Sequence, residues 1–395
     1  LLGGPPASTV TPSWSGCTGS SVASWLASSD AGMKCPAAEV GRITLRTDRS
    51  VPTLGFMTEL PGLDLSALTG WLDAAHPGLR HGELSGELIA GGKSNLTYRV
   101  TDGVTTWALR RPPLAHVLPT AHDMVREFRV ISALAGTAVP VASATALCED
   151  RAVLGAPFYL MTFVDGVVLD RPDALARLDT DTARATCEQL MDTLVALHEV
   201  DPAEVGLADF GRPQGFLARQ VKRWTGQWQA SETEPRAELG QVVERLTAAL
   251  PQQSAPAIVH GDYRLTNVMF RPDFSGIAAV VDWEMAALGD PLADVGLLVV
   301  YRTLSADNDF GMPPMDPADG FLTADQMVAR YAAGSSRDLA SLDWYVSFGY
   351  FKLAVVAEGI HHRFLQGQTV GSGFDQMGSA VPRLLDAALQ ALTNR

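Results

Sequence analysis

His260, Asp262, Arg264 and Asn267 crowd one short polar segment, IVHGDYRLTNVMF, spanning residues 258–270. Asp282 follows fifteen residues after Asn267, where an apolar run ends in DWEMAALGDPLADVG. These types and spacings suit phosphoryl transfer. That reaction asks little covalent chemistry of a protein, but it needs a carboxylate for the attacking hydroxyl, oxygen ligands for Mg²⁺, and positive charge near the transferred group. Asp262 is the candidate base, Asn267 and Asp282 the candidate metal ligands, and Arg264 the cation placed to reach the γ-phosphoryl. Protein kinases carry a related loop, also with Asp and Asn five apart.

Neighbouring polar residues read more simply. His260 is expected to hydrogen-bond the loop backbone, because Asp262 already fits the carboxylate position. Asp290-Pro291 has the form of a helix N-cap followed by proline at the first helical position, and Asp290 and Asp294 are assigned structural duty. Glu284 reads as a solvated carboxylate. His361-His362 point about 100° apart on a helix, which makes a poor metal clamp. Leu217, Val221, Trp224 and Trp228 form an amphipathic core stripe, with Arg219, Lys222 and Arg223 on the opposite side.

The elements that must position this loop change character along the chain. Residues 1–56 are rich in Ser, Gly, Pro and Ala without a sustained period, which predicts a disordered extension, a small functional arm being the rival reading. Leu65, Leu68 and Leu72 predict a helix over 65–75 with Asp64 as N-cap. Strands are expected at 82–90, 95–101 and 105–110, with turns at Gly91-Gly92 and Asp102-Gly103. A helix from about 120 to 135 and strands at 142–148 and 157–163 complete a small β-rich lobe with one main helix. Beyond Asp165-Gly166 helical periods dominate, at 181–199, 215–229, 236–250, 343–365 and 379–392. The expected architecture is α+β and two-lobed. A nucleotide-binding lobe covers 57–165, and a larger, mostly helical catalytic and substrate lobe covers 166–395.

These segments resemble the aminoglycoside phosphotransferase-like kinases, which include choline and fructosamine kinases, over residues 83–365. GGKSNLTYRV, LRRPP, AHDMVREFRVISALAG, GAPFYLMTFVDG, HGDYRLTNVMF and DWEMAALGDPLADVG are similar to the branch fused to acyl-CoA dehydrogenases. The resemblance implies a protein-kinase-like fold. It puts Gly91, Gly92 and Ser94 in the nucleotide loop, where glycine lets backbone N–H groups approach phosphate; a plain hairpin turn explains the same residues equally well. Glu127 takes the place of the helix glutamate that pairs with a strand lysine. Here that strand, TTWALRR, offers no lysine, and Arg110 stands in its register. Arginine also binds phosphate, with different geometry. The backbone around Thr162 and Val164 takes the adenine-contacting position. Lys352 and Glu358 fall on the late helix that lines the acceptor side.

Composition narrows the function. Net charge is −14 and the sequence pI near 5.0, which argues against nucleic acid as a partner. The acidic run Asp282, Glu284, Asp290 and Asp294 interrupts the longest apolar stretch, so no membrane span is expected. Cys17, Cys35, Cys148 and Cys187 form no CxxC pair, which fits reduced cytoplasmic thiols. The reading is an ATP-dependent phosphotransferase, with GTP as the alternative donor, Mg²⁺ as cofactor and a small-molecule hydroxyl as acceptor. A hydroxyacyl metabolite, free or as a CoA thioester, and an aminoglycoside-like compound are the acceptor candidates. A nucleotide-binding pseudokinase with a scaffolding role is the alternative that Arg110 favours. The short run from Asp282 to GDPLADVG, without Ala-Pro-Glu, argues against a protein kinase.

Overall fold

The computed structural model describes residues 60–90, 95–114, 122–306, 312–368 and 374–393. Calls on residues 1–56, on Gly91, Gly92 and Ser94, and on a helix start near Thr120 lie outside them. The described chain forms two compact units. One holds the residues up to Ala135 together with Ala142–Val164, and the other holds Gly136–Val141 and the chain from Asp165 onward.

The first unit opens with helix α1 (Leu65–Ala75), whose Asp64 cap accepts from the N–H groups of Ser66 and Ala67. Strands β1 (Ser85–Ala90), β2 (Leu96–Thr101) and β3 (Thr106–Arg111) follow, then helix α2 (Met124–Leu134). Strand β4 (Ala144–Cys148), the turn of helix α3 (Arg151–Leu154) and strand β5 (Phe158–Thr162) complete it. The sheet is antiparallel in the order β1-β2-β3-β5-β4. Period-two alternation puts Leu96, Tyr98 and Val100 of β2 and Trp107 and Leu109 of β3 on one buried face, under Leu68 and Leu72 of α1. Arg110 and Arg111 therefore point to opposite faces. Arg111 is buried and donates to the carbonyls of Gly62 and Leu154. Helix α2 starts at Met124 because Asp123 caps it, accepting from Val125 and Arg126 N–H.

The second unit runs through β6 (Val167–Val168), α4 (Pro172–Leu175), α5 (Thr180–Glu199), α6 (Phe216–Ser231) and α7 (Ala237–Ala248). Short strands β7 (Ala257–Val259), β8 (Val268–Phe270), β9 (Ile277–Val280) and β10 (Ala287–Gly289) come next, forming a β7–β10 pair and a three-stranded β6-β8-β9 sheet. Helices α8 (Leu292–Ala306), α9 (Ala324–Gly334), α10 (Leu342–Leu365) and α11 (Met377–Ala391) close the unit. Helix α10 is buried on nearly all sides from Trp344 to Ile360, which is why its sequence carries almost no polar stripe. It meets α8 at two glycines: a Cβ on Gly296 would lie 2.5 Å from the Tyr345 backbone, and one on Gly349 3.1 Å from Val300. The acid-broken apolar run 277–300 resolves into β9, β10 and most of α8. Asp290 caps α8 as expected, accepting from Leu292 N–H. None of the helices is long and apolar enough to cross a membrane among the described residues.

Candidate active site

Strand β7 delivers its chain into a loop that is held by its backbone. Asp294, in the first turn of α8, accepts from His260 N–H at 2.6 Å and from Gly261 N–H at 2.8 Å. Lys352 of α10 donates to the carbonyl of Gly261 at 2.5 Å, with its ammonium 5.3 Å from the Trp224 ring centre. Gly261 itself has φ of +82°, and a Cβ there would lie 2.7 Å from Met285 O, so both conformation and space call for glycine. The His260 ring is fully buried. Its Nδ1 faces Asp262 N–H at 3.3 Å and its Nε2 faces Val281 O at 3.0 Å, which sets the proton on Nε2. That is the loop-bracing duty expected for it. Behind the loop, His198 links Asp294 (Nε2, 3.4 Å) to the Tyr331 hydroxyl (Nδ1, 2.8 Å).

Asp262 emerges from this frame 1% exposed. Tyr301 donates to its Oδ1 at 2.5 Å, and Asn267 Nδ2 donates to its Oδ2 at 3.0 Å and to its backbone carbonyl at 2.8 Å. Arg264 Nε lies 3.4 Å from Oδ2. Burial pulls the Arg264 guanidinium down, but Asp262, Tyr301 and Asp282 outweigh it and hold its pKa above the usual value, so it stays charged. Burial, reinforced by Asp262, drives the Tyr301 hydroxyl well above the ordinary phenol range, so it remains a donor. Burial lowers Lys352, against the pull of Asp262 and Asp294. A buried carboxylate is tolerated here because Tyr301 and Asn267 bring donors and Arg264 a cation.

Asn267 and Asp282 come together through a hairpin. Strands β8 and β9 pair antiparallel, and Val281 N–H donates to Asn267 O at 3.0 Å, which brings Asp282 to the end of β9 beside Asn267. Asp282 has φ of +68°, an uncommon conformation for a non-glycine residue and one associated with functional sites. With Nδ2 turned to Asp262, the Asn267 amide oxygen faces away from that carboxylate. An amide oxygen and a carboxylate on adjoining strand ends form the oxygen donor set a small hard cation prefers, so the residues present fit Mg²⁺.

In the first unit, β3 and β5 pair Arg110 directly with Tyr159. Both reach Glu127 of α2: Arg110 Nε at 2.7 Å and the Tyr159 hydroxyl at 2.8 Å, each to Oε2, while Asn95 Nδ2 lies 3.2 Å from Oε1. Glu127 is 1% exposed, so it is a buried partner of these donors and not a solvated helix carboxylate. Thr162 ends β5, with its N–H donating to Ser143 O and its hydroxyl accepting from Ser143 N–H, and Val164 is the last residue of the unit. Glu358 is buried on α10, where it accepts from the Thr233 N–H and hydroxyl. Tyr301, Tyr159 and Asn95 escaped sequence reading. Nothing about a tyrosine in the α8 run distinguishes it from core, and Tyr159 becomes meaningful only once the β3–β5 register is known.

A helix-rich unit carrying a buried His-Gly-Asp loop and a five-stranded unit with a strand cation paired to a helix glutamate together define a kinase-like phosphotransferase architecture. The sequence pattern of the phosphotransferase enzyme family matches residues 85–345, and the chain belongs to that family. Acyl-CoA dehydrogenase family member 10 of Mus musculus is 33% identical over 301 residues, 75% of this chain and 28% of that protein. Acyl-CoA dehydrogenase family member 11 of Homo sapiens is 30% identical over 312 residues, 76% of this chain and 39% of that protein. The chain thus spans less than half the length of these curated relatives. Among solved structures, a Ralstonia eutropha protein given the working assignment of aminoglycoside phosphotransferase superposes with a TM-score of 0.73 at 32% identity, covering 84% of this chain and 98% of that one. Aminoglycoside phosphotransferase APH(4)-Ia, solved as a thermostable mutant with AMP-PNP and hygromycin B, shares the fold at TM-score 0.53 and 14% identity, covering 83% and 98%.

Proposed function

We propose that the chain transfers the γ-phosphoryl of ATP to a hydroxyl of a small molecule. The observation that carries this reading is the Asp262 carboxylate, buried yet held from two sides by Tyr301 and Asn267 with Arg264 against it. Holding a base in one orientation is what proximity catalysis requires. Asp262 hydrogen-bonds the acceptor hydroxyl and takes its proton as the acceptor oxygen bonds to the γ-phosphorus. The bond to the β-bridging oxygen breaks, and its electron pair leaves with ADP. Arg264, charged and buried, offsets negative charge on the transferred group. Asn267 and Asp282 are the residues that would hold Mg²⁺, which when bound neutralises charge on the triphosphate. On the nucleotide side we assign Arg110, fixed by Glu127, to the phosphates, with Gly91, Gly92 and Ser94 as the phosphate loop. The backbone at Thr162 and Val164 is assigned to the base. The relatives' fusion to acyl-CoA dehydrogenase sequence supports a hydroxyacyl metabolite, free or as its CoA thioester, as the acceptor.

The test is a coupled assay with Mg·ATP across hydroxyl-bearing metabolites, hydroxyacyl-CoAs and aminoglycosides side by side. Transfer to a hydroxyacyl compound is expected. Tight Mg·ATP binding with neither transfer nor hydrolysis would replace this reading with a nucleotide-binding scaffold.

A further inference from the structure

Tyr301 belongs to none of the loop motifs, yet its hydroxyl donates to Asp262 Oδ1 at 2.5 Å. It follows Asp294 by seven residues on α8, about two helical turns, so both side chains leave the same face of the helix. One helix therefore grips the loop twice: Asp294 holds the backbone at His260 and Gly261, and Tyr301 holds the carboxylate two residues on. The Arg264 guanidinium lies 5.3 Å from the centre of the Tyr301 ring, so the same side chain also bears on the cation of the site.

We propose that Tyr301 is a positioning residue for phosphoryl transfer, fixing the plane of the Asp262 carboxylate through Oδ1 and the place of Arg264 through its ring face. The inference rests on Asp262 being the base. The last torsion of an aspartate is broad and two-fold, so contacts gathered on one oxygen, such as those of Asn267 and Arg264 on Oδ2, restrain the carboxylate plane less than contacts on both. The Tyr301 hydroxyl supplies the contact on Oδ1. Packing alone does not explain a tyrosine here: phenylalanine fills nearly the same volume, and the hydroxyl of a residue only 2% exposed needs a polar partner.

The experiment is a double-mutant cycle on the full chain with Mg·ATP, following hydrolysis by water and, where the acceptor assay gives a substrate, transfer. Rates are divided by nucleotide-binding stoichiometry, so an unfolded fraction does not count. Tyr301→Phe is expected to lower kcat about tenfold to a hundredfold with the KM for ATP unchanged. Placed on Asp262→Asn, the same change should lower the residual rate less than twofold, because the carboxylate it positions is gone. A Tyr301→Phe rate within twofold of wild type overturns the proposal. So does an equal fold-loss in both backgrounds, which would make Tyr301 a structural residue acting independently of Asp262. If Asp262→Asn alone turns over like wild type, or wild type does not turn over at all, the base assignment has failed instead, and this inference falls with it.

Discussion

At the scale of single residues, the site depends on groups whose protonation is fixed by what surrounds them. Asp262→Asn keeps the size but turns one of two accepting oxygens into a donor, and it cannot accept the hydroxyl proton. We expect kcat to fall roughly a hundredfold or more, the usual scale for a positioned general base, while Mg·ATP affinity by calorimetry stays at the wild-type value. Parallel loss of affinity would move Asp262 from the acceptor to the metal. His198 makes a separate prediction. Burial holds its pKa below the ordinary value despite the Asp294 carboxylate beside it, so it is neutral when folded. The unfolded chain binds that proton below about pH 6.5. Stability should therefore be complete above that value and decline as pH falls through it. Asp294 is buried too, but its bonds from His198 and His260 hold its pKa below the usual carboxylate range, so its own contribution is lost only below about pH 4. Melting temperature should drop more steeply between pH 7.5 and 5.5 in wild type than in His198→Gln; equal slopes would show that His198 does not carry the effect.

At the scale of elements, the loop that carries Asp262 is a dependent of two helices. Asp294 and Tyr301 come from α8, Lys352 comes from α10, and the helices approach closely at Gly296 and Gly349. Gly296→Ala would press a methyl against the Tyr345 backbone, where no rotamer can yield. Destabilisation of about 1–3 kcal/mol is expected from such overpacking, read by urea unfolding. The turnover of the folded fraction should fall as well, because α8 carries two of the loop's anchors. Unchanged turnover at reduced stability would mean that the loop does not follow α8. The helix was only partly legible: its Asp290-Pro291 start reads directly from sequence, but its apolar body is equally a buried strand or core segment until the glycine contacts are known. Helix α9 went unread although its Thr323–Gln326 capping box is present, because only Met327 and Tyr331 are buried along it.

At the scale of the molecule, the two units carry different halves of the proposed chemistry, and nucleotide binding should report on the proposed metal ligands. Saturating Mg·ATP at a hundred times Kd stabilises the native state by about 2.7 kcal/mol. Asp282→Ala should abolish the Mg²⁺-dependent part of the corresponding thermal shift, while the melting temperature without nucleotide stays close to wild type. A full shift in the variant would remove Asp282 from the metal site. The composition of residues 1–56 leads us to expect that a chain beginning at Met57 melts where the whole chain does; a large fall would show that the segment packs on the body.

By itself, the sequence determined the parts whose meaning lies in local order. The Asp262–Asn267 spacing, the later Asp282, the Asp64 and Asp290 caps and the alternation of β2 and β3 each follow from backbone geometry over a few residues. The α+β architecture and the family follow from those segments in order. Tertiary structure alone decided which distant side chains complete the site. Tyr159 joins Arg110 at Glu127 because β3 pairs with β5 in one register. Tyr301 and Lys352 reach the loop because two helices pack at glycine. Such contacts join residues 39 and 91 positions apart, and no local period encodes them: in sequence, a buried tyrosine that holds a buried carboxylate reads the same as one that fills a core.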